Sequence, residues 1–238
     1  MTSKKGSDPT WSDVKAKLMD FDRAGMLRLV QDLYAASRDN QNSLHACFGL
    51  GPDVASKKSA DLTWSDVRVT LVYFDRTGLL RLLQDLYTVS KDNRNFLHAR
   101  FGLGSDVLEP YKAIIRRWLW PDIDRDQDYS TVKAKKPIAD YKKAAGLPQG
   151  IAELSVFYCE QAIGFSSEVG LDDRSYYDAV WRMFKQALST VMVLPETDRP
   201  PFLDRLNGVR LSARGLGWGL ENELNVLWGW AGLELSDE

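Results

Sequence analysis

The chain has 238 residues, 44% hydrophobic and 27% charged, with a formal charge of -2. A chain this long buries about three-quarters of its unfolded surface, so its core requires neither a metal nor a disulfide. Near-neutral charge argues against a dedicated polyanion binder, and two cysteines, Cys47 and Cys159, are too few for a disulfide-stapled secreted domain. The charge is unevenly spread: residues 146–238 carry a net -7, while the residues before them are net basic. Met1 to Trp11 is polar and does not resemble a secretory leader, and no window has the length of a membrane span. These features predict a reduced, cytoplasmic protein.

The run from Thr10 to Val54 returns from Thr63 to Val107 at a constant offset, with about two-thirds of the positions identical. A period of this size predicts stacked helical units, here a module over 1–54 and another over 55–107. In the first copy Thr10 and Asp13 have capping-box spacing ahead of Val14, Leu18 and Phe21, so a short helix is expected. Asp22 can cap a second helix with a wide stripe of Met26, Leu27, Leu29, Val30, Leu33 and Tyr34. Asp39 and Asn40 then supply a turn and cap for a third short helix that carries Leu44 and Phe48. Gly49 and Gly51 take left-handed backbone at its end. The second copy repeats every signal. Where the first has Ala16, Asp20, Ala36 and Ser43, the second has Val69, Tyr73, Val89 and Phe96. Those larger apolar residues predict that copy two is better packed and docks on the C-terminal region, with copy one stacked outside it or on another chain. The linker from Pro52 to Leu62 reads as an exposed connection.

Residues 108–238 read as a six-helix bundle. Asp106, Glu109 and Pro110 open a helix with the stripe Tyr111, Ile114, Ile115, Trp118 and Leu119. Thr131 to Ala145 is a second helix that Pro137 should kink or delay. Pro148 to Phe165 and Ser175 to Leu194 are long and apolar and should form the centre. Pro200 and Pro201 start another helix, and a last one holds Leu220, Leu224, Leu227 and Trp228. No segment alternates at the strand period, so the fold class is all-α. At Phe96 to Phe101, Pro110 to Lys112 and Lys133 to Lys143 the chain resembles a family of small helical bacterial proteins with no established activity. That resemblance implies a bacterial cytosolic setting and transfers no catalytic residue.

Candidate chemistry is sparse. His45 and His98 are the same position of the repeat, but a zinc site needs about four ligands, and the neighbourhood offers at most Asp39 and Cys47 in one copy and loses the thiol in the other. Asp122, Asp124, Asp126 and Asp128 alternate as in a calcium loop, yet Gln127 and Lys133 stand where the glycine and the bidentate glutamate belong. Glu153 and Glu160 lie two turns apart on an apolar helix without a di-metal histidine partner and read as exposed edge residues. Nothing marks a catalytic constellation, and no cofactor or metal is expected. Two surfaces remain as candidates. Trp218, Trp228 and Trp230 either close the core or leave an apolar patch, and His45 and His98 either tie a helix to a neighbouring loop or face outward; in the exposed alternative the five form a candidate partner surface. Lys112, Arg116, Arg117, Lys133, Lys135, Lys136, Lys142 and Lys143 form a candidate phosphate-binding face, with Tyr141 as a stacking surface. The first predicts an interaction module that binds another protein or a second copy of itself; the second predicts a nucleic-acid-associated protein.

Overall fold

The structure is a computed structural model that describes residues 8–49 and 62–234; most of the linker lies outside them. All regular structure among the described residues is helical. The described residues form twelve α-helices: α1 (Trp11–Leu18), α2 (Arg23–Ala36), α3 (Arg38–Cys47), α4 (Trp64–Leu71), α5 (Arg76–Val89), α6 (Lys91–Phe101), α7 (Glu109–Leu119), α8 (Thr131–Ala144), α9 (Pro148–Val169), α10 (Arg174–Val193), α11 (Pro200–Ser212) and α12 (Leu220–Trp230). They fall into two compact units. One reaches Val107 and includes Lys143–Ala145; the other holds Leu108–Lys142 and the chain from Gly146 onward.

Local chemistry sets the helix ends. Thr10 with Asp13, and Thr63 with Asp66, form capping boxes. Asp22 and Asp75 accept from the Gly25 and Gly78 amides at 2.6 and 2.7 Å. The third helix of each copy is capped by Ser37 or Ser90, not by the expected Asp39 or Asn40. Asn40 and Asn93 lie inside their helices and are 4% exposed. Gly49, Gly102 and Gly104 have positive φ, the left-handed geometry expected after α3 and α6.

The two copies meet in a way that stacking does not describe. Most of the side-chain contacts between them occur twice, with the partners exchanged; the Arg100–Asp32 ion pair occurs once, because Cys47 stands where a second arginine would be needed. Arg23 donates from Nε to the Phe74 carbonyl at 2.9 Å and from Nη2 to the Leu71 and Val72 carbonyls at 3.0 and 2.8 Å. Arg76 donates in the same manner to Phe21, Leu18 and Met19 at 3.3, 3.3 and 2.8 Å. Each guanidinium caps carbonyls at the end of the sister copy's first helix, which is also the negative end of its dipole. Asn40 and Asn93 exchange amide hydrogen bonds at 2.8 Å in both directions, and each also donates to its own copy's Leu33 or Leu86 carbonyl. Trp11 packs on Tyr87 and Trp64 on Tyr34, both with centroids 5.4 Å apart at 53°. Phe21 meets Phe101 edge-on at 5.7 Å, and Phe74 meets Phe48 at 5.6 Å. This is the isologous geometry of a twofold dimer, formed within one chain. A translational stack would realise only one member of each pair.

The ranking of the copies by size of side chain is corrected. Phe96 is buried at 4% exposure, but Val69, Tyr73 and Val89 are 65, 85 and 78% exposed. Their bulk fills no core; it leaves apolar surface on copy two.

In the second unit α9 is the central rod. Ala152, Leu154, Val156, Tyr158, Cys159, Ala162, Ile163 and Phe165 are buried around most of its circumference, and α7, α10 and α11 pack against it. Glycine lets two neighbours approach closely: the Tyr141 ring sits where a Gly150 Cβ would lie, and the Trp120 ring does the same at Gly164. α8 runs from Thr131 through Pro137, so it does not begin late.

Candidate functional site

The two histidines occupy matching places in the paired copies. His45 Nε2 and the Tyr34 hydroxyl are hydrogen-bonded at 3.1 Å, as are His98 Nε2 and the Tyr87 hydroxyl. Each dyad is closed by the tryptophan of the sister copy, Trp64 on Tyr34 and Trp11 on Tyr87. Burial lowers both imidazole pKa values; nearby Arg94 lowers that of His98 further, while Asp66 opposes the shift at His45. His45 is only 5% exposed, so it cannot contribute to a partner surface. Its role is internal: it fastens α3 to α2 under the other copy's indole.

The tryptophan group also divides. Trp228 is 5% exposed, donates from Nε1 to the Glu234 carbonyl at 3.0 Å and has Arg210 beside its ring. It belongs to the core. Trp218 and Trp230 are 54 and 76% exposed. Trp218 has φ 61, a left-handed backbone that costs a bulky residue about 1–3 kcal/mol. Its Nε1 donates to Asp172 at 2.8 Å, and Arg174 lies 5.9 Å from the ring. The indole is thus fixed in an exposed position beside Tyr177, Asp178 and Glu223.

Several of the basic residues already have partners. Lys112 is 2.7 Å from Glu153, and Lys136 is 2.7 Å from Asp140. Arg116 lies over Phe157 and 3.5 Å from Glu109. Arg117 and Lys133 flank the Trp118 ring at 4.6 and 4.0 Å. Lys135, Lys142 and Lys143 are exposed. Tyr141 is 2% exposed, packed against Tyr111 and Gly150, and offers no stacking face.

Glu153 and Glu160 are not free edge residues. Arg205 grips Glu160 bidentately, Nε and Nη2 each at 2.7 Å, and reaches Glu153 through Nη1 at 2.5 Å, while Lys112 holds the other Glu153 oxygen. Desolvation raises the Glu153 pKa, but the Arg205 and Lys112 hydrogen bonds outweigh it and leave the carboxyl below its usual value. Arg205 is held above the ordinary arginine range by its bonds to Glu160 and Glu153. Two cations and two carboxylates neutralise one another, so the cluster clamps α7, α9 and α11. Beside it runs an open groove of about 520 Å³ lined by Glu160, Gly164, Ser167, Arg205, Gly208 and Ser212.

Among the described residues no cluster of histidine, cysteine and carboxylate side chains could hold a metal. The Asp122–Asp128 run forms one turn of 3₁₀ helix and an Asp126 with φ 50. Cys159 is fully buried, which pushes its thiol up and keeps it protonated; Cys47 is exposed. No helix among the described residues is long and apolar enough to cross a membrane. Comparison with protein-family models, curated proteins and solved structures returned no match.

Proposed function

We propose that the chain is a non-catalytic protein–protein interaction module, a paired tandem repeat joined to a helical bundle, acting in a bacterial cytosolic complex. One observation carries this reading. The copies are nearly alike in what they bury, but copy two places Val69, Val72 and Tyr73 on one exposed face at 65, 62 and 85% exposure. The matching residues in copy one are Ala16, Met19 and Asp20. Copy two therefore carries a larger exposed apolar face than copy one, where Met19 is 56% exposed beside Ala16 and Asp20, and adjacent exposed apolar side chains of this kind mark protein contacts. Trp218 and Trp230 add exposed aromatic anchors on the second unit.

The test is capture from the native cell extract with the full chain and with V69K/V72S/Y73S. Substitutions at exposed positions shift stability by about 0.5 kcal/mol or less, so the variant should melt like the parent. Loss of specific bands supports the proposal; identical bands from both proteins refute it. A nucleic-acid role through the basic face has less support, because Lys112, Arg116 and Lys136 already face carboxylates. It predicts binding to a generic duplex at low salt that falls log-linearly as salt rises.

A further inference from the structure

We propose that the face joining the two copies is also a self-recognition face for a second copy of this chain, in an exchanged dimer where copy one of each chain pairs with copy two of the other. The inference does not use the side chains of Val69, Val72 and Tyr73, although the Val72 carbonyl lies in the seam, and it goes beyond the function proposed above.

The geometry is the argument. An isologous face is complementary to itself, so the surface that fits it is the same surface elsewhere. Each copy offers one arginine and one set of helix-end carbonyls, one buried amide and one tryptophan, and the sister copy receives all of them through the same atoms. These contacts do not depend on whether the sister copy belongs to the same chain. The exchanged arrangement keeps them all, including the Arg100–Asp32 ion pair that joins copy two to copy one. Only connectivity favours the closed monomer. Residues 50–61 connect the copies in sequence, and a covalent connection of about that length supplies an effective concentration on the order of 1 mM.

An opened unit does not remain open. Separation would expose to water the ring pairs Trp11–Tyr87, Trp64–Tyr34, Phe21–Phe101 and Phe48–Phe74 and break the arginine bonds to the carbonyls of Leu18, Met19, Leu71 and Val72. Opened chains pair again, and protein concentration relative to that of the tether decides whether the partner is internal or external. Chains folded at low concentration are closed monomers; chains folded near the tether's effective concentration exchange.

The experiment uses the full chain, unfolded in urea and refolded at about 10 μM and at about 1 mM, the tether scale, then diluted alike for light scattering behind a sizing column. The expected result is a 27.0 kDa species from the dilute sample and a species of twice that mass from the concentrated one. The dimer should persist for hours after dilution, because its release requires the pair to open. Donor and acceptor dyes on the exposed Cys47 provide a second reading: energy transfer after co-refolding of the two labelled pools, and none after mixing them folded. Three results overturn the proposal: monomer alone at both concentrations, a dimer that forms at once among folded chains, or a dimer abolished by V69K/V72S/Y73S. The last two would assign association to an ordinary surface contact.

Discussion

Replacing one amide of the buried pair tests the reciprocal face quantitatively. Asn40→Ala removes three hydrogen bonds: its donations to the Leu33 carbonyl at 2.7 Å and to Asn93 Oδ1 at 2.8 Å, and the one it accepts from Asn93 Nδ2 at 2.8 Å. The abandoned groups lie where both asparagines are 4% exposed, and each buried orphan costs about 1–3 kcal/mol. With some repair by water, the single substitution should destabilise the first unit by about 3 kcal/mol. Asn93→Ala loses the mirror set and should cost the same within about 0.5 kcal/mol. Once Asn40 is gone, removing Asn93 sacrifices only its bond to the Leu86 carbonyl. The double variant should therefore cost about 4 kcal/mol rather than 6, a coupling of about 2 kcal/mol between residues 53 apart in sequence. Hydrogen exchange read by mass spectrometry on α2 and α5 peptides measures the opening free energy of this unit separately from the bundle. Additive costs, or one substitution several-fold more damaging than the other, would refute the reasoning.

Arg205→Met should destabilise the bundle by about 2–4 kcal/mol, because it leaves two partly buried glutamates facing each other with only Lys112 opposite; urea unfolding followed by circular dichroism checks this. Glu153, with its pKa lowered in the fold, contributes stability that is complete above its unfolded value and is lost as pH falls below about 4.5; Glu153→Gln should flatten that acid limb. His45 and His98 have lowered pKa values, so the unfolded chain takes up protons first as pH drops. Stability of the first unit should fall from about pH 6.5 downward, by up to about 1.4 kcal/mol per pH unit for each histidine, and H45Q/H98Q should remove this slope in urea midpoints between pH 7 and 5.5. Gly150→Ala should cost about 1–3 kcal/mol in thermal or urea unfolding, because its methyl group would occupy the place of the buried Tyr141 ring.

The helical class, the cap positions at Thr10, Asp22 and Asp75, and the stripes of α2, α5 and α10 were legible because they are local, governed by spacing over three or four residues. The pairing of the copies was not, because self-complementarity joins positions 53 apart and no periodicity reports it. Its traces were nevertheless present. Arg23 and Arg76 begin helices, where the dipole disfavours a cation, and Asn40 and Asn93 are poor helix formers inside helices; both choices occur twice. Residues that contradict a local rule in both copies point to a use elsewhere. Arg205 was missed for the same reason, since its carboxylates lie 45 and 52 residues away, yet it sits within the Phe202–Leu206–Val209 stripe of α11, where a charge needs a partner. Size alone misled at Val69, Tyr73 and Val89, because a larger apolar side chain is buried only where the fold places a neighbour over it.

The most direct measurement of the central claim is a nuclear Overhauser spectrum of the labelled chain at low concentration, read at the ring pairs Trp11–Tyr87 and Trp64–Tyr34 and between the side-chain amides of Asn40 and Asn93. A self-complementary face predicts cross-peaks for both ring pairs together with the amide contact. Cross-peaks for one ring pair without the other would mean that the copies are stacked in translation, and would contradict it.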